Sequence, residues 1–221
     1  MGRHGSAPLW PNQSFFLSNE EGIKGEMNRV AIYPGSFDPI TNGHLSLLRR
    51  GLQIFDKIIV AIAINPEKKP LFSLEERIEI LSSVLKDYPR VEIDHFQGLL
   101  VEYVQAMETN IILRGLRALS DFEYEFQLAL MNRKLSRKVQ TVFMMTDYKW
   151  FYISSTIIKE AASLGGNIDG LVPELVNQRL KEKFGFSHSF PAGSPGKNKF
   201  NASNPDRPSG KKRAGDKQRG G

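Results

Sequence analysis

A chain of 221 residues, 40% hydrophobic and 24% charged, is long enough for one domain of about 150 to 160 residues with a buried core, plus tails. It has no cysteine, which excludes disulfides, thiolate nucleophiles and Cys-ligated metals, and it has no run of about 18 apolar residues that would span a membrane. The formal net charge of +6 belongs to one end: residues 187–221 hold eight of the 30 Lys and Arg but two of the 24 Asp and Glu, so the remainder, 22 of each sign, is neutral.

Residues 1–26 carry Gly2, Gly5, Pro8, Pro11, Gly22 and Gly25 without sustained periodicity, and read as a flexible extension. They lack the apolar segment of an export signal, so the expected location is the cytoplasm. Met27, directly before the first apolar run, reads as an alternative start. From there strands and helices alternate. Residues 29–33 form a first strand, and residues 43–55 a helix with Leu45, Leu48, Leu52 and Phe55 on one face. Residues 58–64, Ile-Ile-Val-Ala-Ile-Ala-Ile, are too short for a typical helix and fit a strand buried on both sides.

A capping box, Ser73 with Glu76, opens a helix over 73–85. A strand at 91–96, a helix at 99–107 and a strand at 111–113 follow. Ser120-Asp121-Phe122-Glu123 predicts a second capping box and a helix to about Leu135, and 139–145 a fifth strand. Ser154 or Ser155 caps a helix running to Leu164 ahead of Gly165-Gly166, and Pro173 stands in the first turn of a last helix ending near Phe184. The order predicts a doubly wound α/β domain over 27–186 with a five-stranded parallel sheet, Rossmann-like in outline. Residues 187–221, rich in Ser, Gly, Pro, Asn and Lys, read as a basic disordered tail.

Ligands of such sheets sit beyond the carboxyl ends of the strands, so the turns there carry the functional argument. The first, Pro34-Gly35-Ser36-Phe37-Asp38-Pro39-Ile40-Thr41-Asn42-Gly43-His44, delivers a helix N-terminus and a histidine to one point, which favours an anion. It is neither a GxxxxGK[ST] loop nor a GxGxxG loop. The second turn holds Lys68 and Lys69 between Pro66 and Pro70. After the fourth strand comes Arg114-Gly115-Leu116-Arg117, and after the fifth Trp150-Phe151-Tyr152-Ile153-Ser154-Ser155-Thr156. One histidine, at least three cations and a hydroxyl-lined helix start suit several phosphate groups and a phosphoryl transition state, not hydrolysis by paired carboxylates. His4, His95 and His188 stand outside these turns and read as structural or solvated.

Gly35-Ser36-Phe37-Asp38-Pro39 with Thr41-Asn42-Gly43-His44 is similar to the T/H-x-G-H signature of the nucleotidyltransferase superfamily. Adding Lys68-Lys69-Pro70, Arg114-Gly115-Leu116-Arg117, Asp121-Phe122-Glu123-Tyr124-Glu125 and Ile153-Ser154-Ser155-Thr156, in that order, the chain resembles the bacterial phosphopantetheine adenylyltransferases over residues 28–184. The resemblance implies transfer of AMP from ATP to 4′-phosphopantetheine, with Mg²⁺ as cofactor and a homohexamer as assembly. It assigns catalysis to His44, Lys68 and Arg117. ATP would be held by Ser36, Phe37, His44, Gly115, Leu116, Arg117, Glu125 and the seven residues Trp150, Phe151, Tyr152, Ile153, Ser154, Ser155 and Thr156. Phosphopantetheine would be held by Ser36, Lys68, Leu100 and Arg114, and no residue is assigned as a metal ligand. Ser36 stands where the family often has Thr, which keeps the hydroxyl. Two further readings stay open: a relative with another phosphate acceptor, such as nicotinamide mononucleotide, or nucleic-acid binding through the basic tail. The neutral remainder gives that tail no basic surface to extend, so neither nucleic acid nor membrane is an expected partner.

Overall fold

The computed structural model describes residues 29–67, 69–117 and 119–186. Five strands, β1 (Val30–Gly35), β2 (Lys57–Ile64), β3 (Val91–Gln97), β4 (Ile111–Leu116) and β5 (Gln140–Met145), pair in the order β3-β2-β1-β4-β5. All four pairings are parallel. The chain winds outward from β1 to β3, returns to β4 beside β1, and winds outward the other way. The ends of β1 and β4 therefore flank the switch point, where a crevice opens in such sheets.

Among the described residues four helices connect the strands, α1 (Asn42–Gly51), α2 (Leu74–Val84), α3 (Leu100–Ala106) and α4 (Leu119–Leu135), and two follow β5, α5 (Ser155–Ser163) and α6 (Glu174–Phe184). Side chains alternate across the sheet with period two, as strands require. Ala31, Tyr33, Ile58, Val60, Ile62 and Leu113 enter a large core with α1, α2, α5 and α6. Ile32, Ile59, Ala61 and Ile112 enter a smaller one with Val101 and Val104 of α3. Burial on both faces is why β2 reads as an unbroken apolar run.

Several expected boundaries hold and four do not, the first being the end of α1 at Gly51, four residues short of Phe55. Ser73 caps α2, accepting the Glu76 N–H at 3.2 Å while the Glu76 carboxylate accepts the Ser73 N–H at 2.8 Å. Ser154, not Ser155, caps α5, and its hydroxyl accepts the Ile157 N–H at 3.1 Å. Strand β4 runs on to Leu116, so Arg114, Gly115 and Leu116 belong to a strand and not to a turn. Their ladder with β5, up to Leu116 beside Met145, overrides the turn-like look of Arg-Gly. Helix α4 starts at Leu119, so Ser120 lies within it and not one position before it as expected. Pro173 is the N-cap of α6, one position before the first turn. The two tails, 1–26 and 187–221, and Lys68 lie outside the described residues.

Candidate active site

The centre of the site is the start of α1. Thr41 is its N-cap, in extended conformation, and its hydroxyl accepts the His44 N–H at 3.4 Å. His44 reciprocates as a Glu or Gln would in a capping box: its Nδ1 accepts the Thr41 backbone N–H at 3.0 Å. The Thr41 hydroxyl lies 2.9 Å from the same nitrogen. A nitrogen that accepts a backbone N–H carries no proton, so this cap selects the tautomer protonated at Nε2. Burial, then the charges of Arg117 and Arg114, push the imidazole down to about 4, so at neutral pH it is an uncharged donor through Nε2. The rings of Phe37 and Tyr33 flank it at 5.3 and 6.4 Å. Thr41→Val removes the hydroxyl and keeps the backbone N–H. It should cost about 1 kcal/mol of stability, as lost N-caps do, while leaving most of kcat; denaturant melts and turnover check both.

The turn before this helix is tightly held. Phe37 is buried with φ of 44°, an uncommon conformation for an aromatic residue, and its ring packs over Gly35, where an added Cβ would stand 3.0 Å from the ring. The Ser36 carbonyl accepts Arg77 Nη1 at 2.9 Å, leaving the Ser36 side chain exposed. Asn42 is tied at its backbone N–H to the Leu171 carbonyl at 3.0 Å, and through its side chain to the Gly170 carbonyl at 2.8 Å. Gly43 faces Trp150, whose Cβ would lie 3.3 Å from an added Cβ. That brings the segment after β5 against the N-terminus of α1.

Arg114 of β4 and Arg117 just beyond its end complete the crevice. Arg114 donates through Nε to Glu125 at 2.7 Å, through Nη2 to the other Glu125 oxygen, and through Nη1 to the Pro34 carbonyl at 2.9 Å. Burial alone would lower its pKa, but the bond and charge of Glu125 outweigh that and raise it, so it stays charged. Arg117 pairs with Asp121 at 3.0 Å and donates to the Ile153 carbonyl at 3.2 Å, bridging β4 to the 150–156 segment. In that segment the Ser155 hydroxyl donates to the Pro39 carbonyl at 2.7 Å, and Phe151, Tyr152 and Thr156 are exposed. Gly115 allows β4 to lie close under α1: an added Cβ would meet Leu47 at 2.5 Å.

Ser36, Phe37, His44, Gly115, Leu116, Arg117, Glu125, Arg114 and residues 150–156 are thus gathered at the switch point. Leu100 stands apart at the start of α3, beyond the end of β3 and packed on the smaller core. Sequence reasoning assigned no role to Thr41, Tyr33, Asp38, Arg77, Asp121 or Lys159. Thr41 was detectable, since it precedes His44 by the three residues of a capping box. Tyr33 sits beneath the site, and burial pushes its phenol up although Arg114 and Arg117 oppose that. Among the described residues no group of three or more His, Asp or Glu gathers as a metal cage.

Comparison with known proteins identifies the chain's family. A family model described as cytidylyltransferase-like matches residues 32–161. The chain is 60% identical over 168 residues to the phosphopantetheine adenylyltransferase of Nitratidesulfovibrio vulgaris (strain DP4), covering 76% of this chain and 90% of the relative. It is 64% identical over 157 residues to the enzyme of that name from Desulfatibacillum aliphaticivorans, covering 71% and 90%. The one from Caldanaerobacter subterraneus subsp. tengcongensis is 56% identical over 156 residues, covering 71% and 98%. By the family-model match and these identities, this chain belongs to the phosphopantetheine adenylyltransferase family of cytidylyltransferase-like proteins.

Proposed function

We propose that this chain transfers AMP from ATP to the 4′-phosphate of phosphopantetheine, releasing pyrophosphate and forming dephospho-coenzyme A. The observation that carries the reading is the neutral His44 donor beside Arg114 and Arg117, together with the relatives of the same name. The acceptor phosphate is already a nucleophile, so no base is needed. One of its oxygens attacks the α-phosphorus in line, a P–O bond forms as the bond to the pyrophosphate oxygen breaks, and no covalent enzyme intermediate intervenes. His44 Nε2–H donates to the α-phosphate as charge builds, and the cations spread that charge.

On the acceptor side, Arg114 and Lys68 hold the phosphate, Ser36 borders it and Leu100 lines the pantetheine arm. On the nucleotide side, the N-H groups opening α5 and the Arg117 guanidinium hold phosphates, while Gly115, Leu116, Glu125 and residues 150–156 frame the rest. Magnesium enters as MgATP, with phosphate oxygens as its main ligands, and it supplies charge neutralisation. Helix α4 exposes Phe122, Phe126, Leu130, Met131 and Leu135, an apolar surface that supports self-assembly, in the family's hexameric form. No described helix is long and apolar enough to cross a membrane, in keeping with a cytoplasmic enzyme.

Pyrophosphate release from MgATP tests the reading directly. It is expected with phosphopantetheine and not with nicotinamide mononucleotide; release with the second acceptor alone would overturn the assignment. Lys68→Ala should raise KM for phosphopantetheine by on the order of tenfold and leave that for ATP within about threefold. Equal increases would remove Lys68 from the acceptor side.

A further inference from the structure

A buried carboxylate stands beside a site otherwise rich in cations. Asp38 is 3% exposed. Its Oδ1 accepts the Phe72 N–H at 2.9 Å, and its Oδ2 accepts both the Leu71 N–H at 3.0 Å and Lys159 Nζ at 2.5 Å. Three segments far apart in sequence meet on one side chain: the β1–α1 turn, the end of the 65–72 segment and helix α5. Second ties reinforce two of the junctions. Ser155 of α5 reaches the Pro39 carbonyl, and Arg77 of α2 reaches both the Ser36 carbonyl and, at 3.3 Å, that of Ser73. The Leu71 and Phe72 amides, by contrast, are held to the turn by Asp38 itself.

We propose that Asp38 and Lys159 are a positioning pair for the transfer reaction: Lys159 neutralises and orients Asp38, and Asp38 sets the end of the 65–72 loop against the turn that carries His44. One carboxylate thereby puts the acceptor-side loop in register with the nucleotide-side helix α5. This rests on reading the 65–72 loop as the acceptor side. Loss of Lys159 leaves a buried carboxylate without the ammonium that orients it towards the Leu71 and Phe72 amides. Loss of Asp38 orphans two amides and the ammonium together.

The test pairs amide hydrogen exchange with kinetics on the full chain. In Lys159→Met, exchange at Leu71 and Phe72 should quicken by about tenfold or more while that of β1 and β4 stays within about threefold. KM for phosphopantetheine should rise by about tenfold, with kcat and KM for ATP within about threefold, and Lys159→Arg should restore both readouts. Unchanged exchange at the two amides, a general quickening across the sheet, parallel changes in both KM values, or failure of Lys159→Arg to restore them would each overturn the proposal. If Lys159→Met does not fold, Asp38→Asn keeps the shape and replaces one acceptor oxygen by a donor, and it must show the same local quickening. Exchange is read without substrate. Should the wild type not turn over phosphopantetheine, the functional reading falls while the exchange result still decides whether the pair holds the loop.

Discussion

His44→Ala lowers kcat by on the order of 10² or more, and leaves ATP affinity within about threefold. The asymmetry follows from where the donor acts. A neutral imidazole offers a modest bond to the ground-state α-phosphate and a stronger one as negative charge accumulates on the oxygens in flight. The capping box with Thr41 fixes the ring before substrate arrives, so no reorganisation is needed at that moment. Initial rates and equilibrium ATP binding, on protein shown to be folded, decide it; an unchanged kcat would remove His44 from the chemistry.

The same histidine sets a pH signature. Its folded-state value of about 4 lies below the ordinary value of about 6.5, so the wild-type kcat/KM, which reports the free enzyme, should show no acid limb from this group between pH 7 and about 5. The unfolded chain binds the proton more readily in that window. His44 therefore contributes stability that is present above pH 6.5 and is lost as pH falls towards 4. His44→Ala should flatten that part of the stability profile, which denaturant midpoints across the window would record.

Arg114→Ala is expected to lower kcat/KM for phosphopantetheine by on the order of 10² and also to destabilise the fold by about 3 to 5 kcal/mol. The second effect comes from Glu125, whose side chain is 12% exposed and would lose the guanidinium that both its oxygens accept from. Adding Glu125→Gln removes the stranded charge and should return most of the stability while the acceptor defect persists. Arg114→Lys keeps a charge but not the fork that reaches Glu125 and the Pro34 carbonyl at once, so it should recover little of either. Recovery of turnover in the double variant would show that Arg114 serves the fold and not the acceptor.

What local pattern encodes was legible. The apolar run of β2 and the Ser73–Glu76 box depend on neighbours within a few residues, and each forms as expected, whereas α1 ends at Gly51 and leaves Leu52 and Phe55 of its expected face beyond it. The arginine-glycine stretch was misplaced because its strand character comes from β5, pairing residues 111–116 with 140–145 across an intervening helix. The segments that carry His44, Arg114 and residues 150–156 were singled out because a parallel sheet gathers the carboxyl ends of its strands. Their internal pairing was not. The turns read as rich in cations without a carboxylate cluster, whereas Glu125 and Asp121 of α4 each meet one arginine, and Lys159 meets Asp38 across 121 positions. Such contacts are long-range or depend on helix phase, and no single stretch of sequence announces them. The Thr41–His44 reciprocity was local, and a histidine in place of glutamate hid it.

The most direct test of the central claim follows the α-phosphate itself. With ATP labelled at that position, Mg²⁺ and phosphopantetheine, the label should appear in dephospho-coenzyme A in equal amount to the pyrophosphate released, with no labelled protein at any time. Label that stays in ATP, emerges as free AMP, or passes through the protein would contradict direct transfer to the acceptor phosphate.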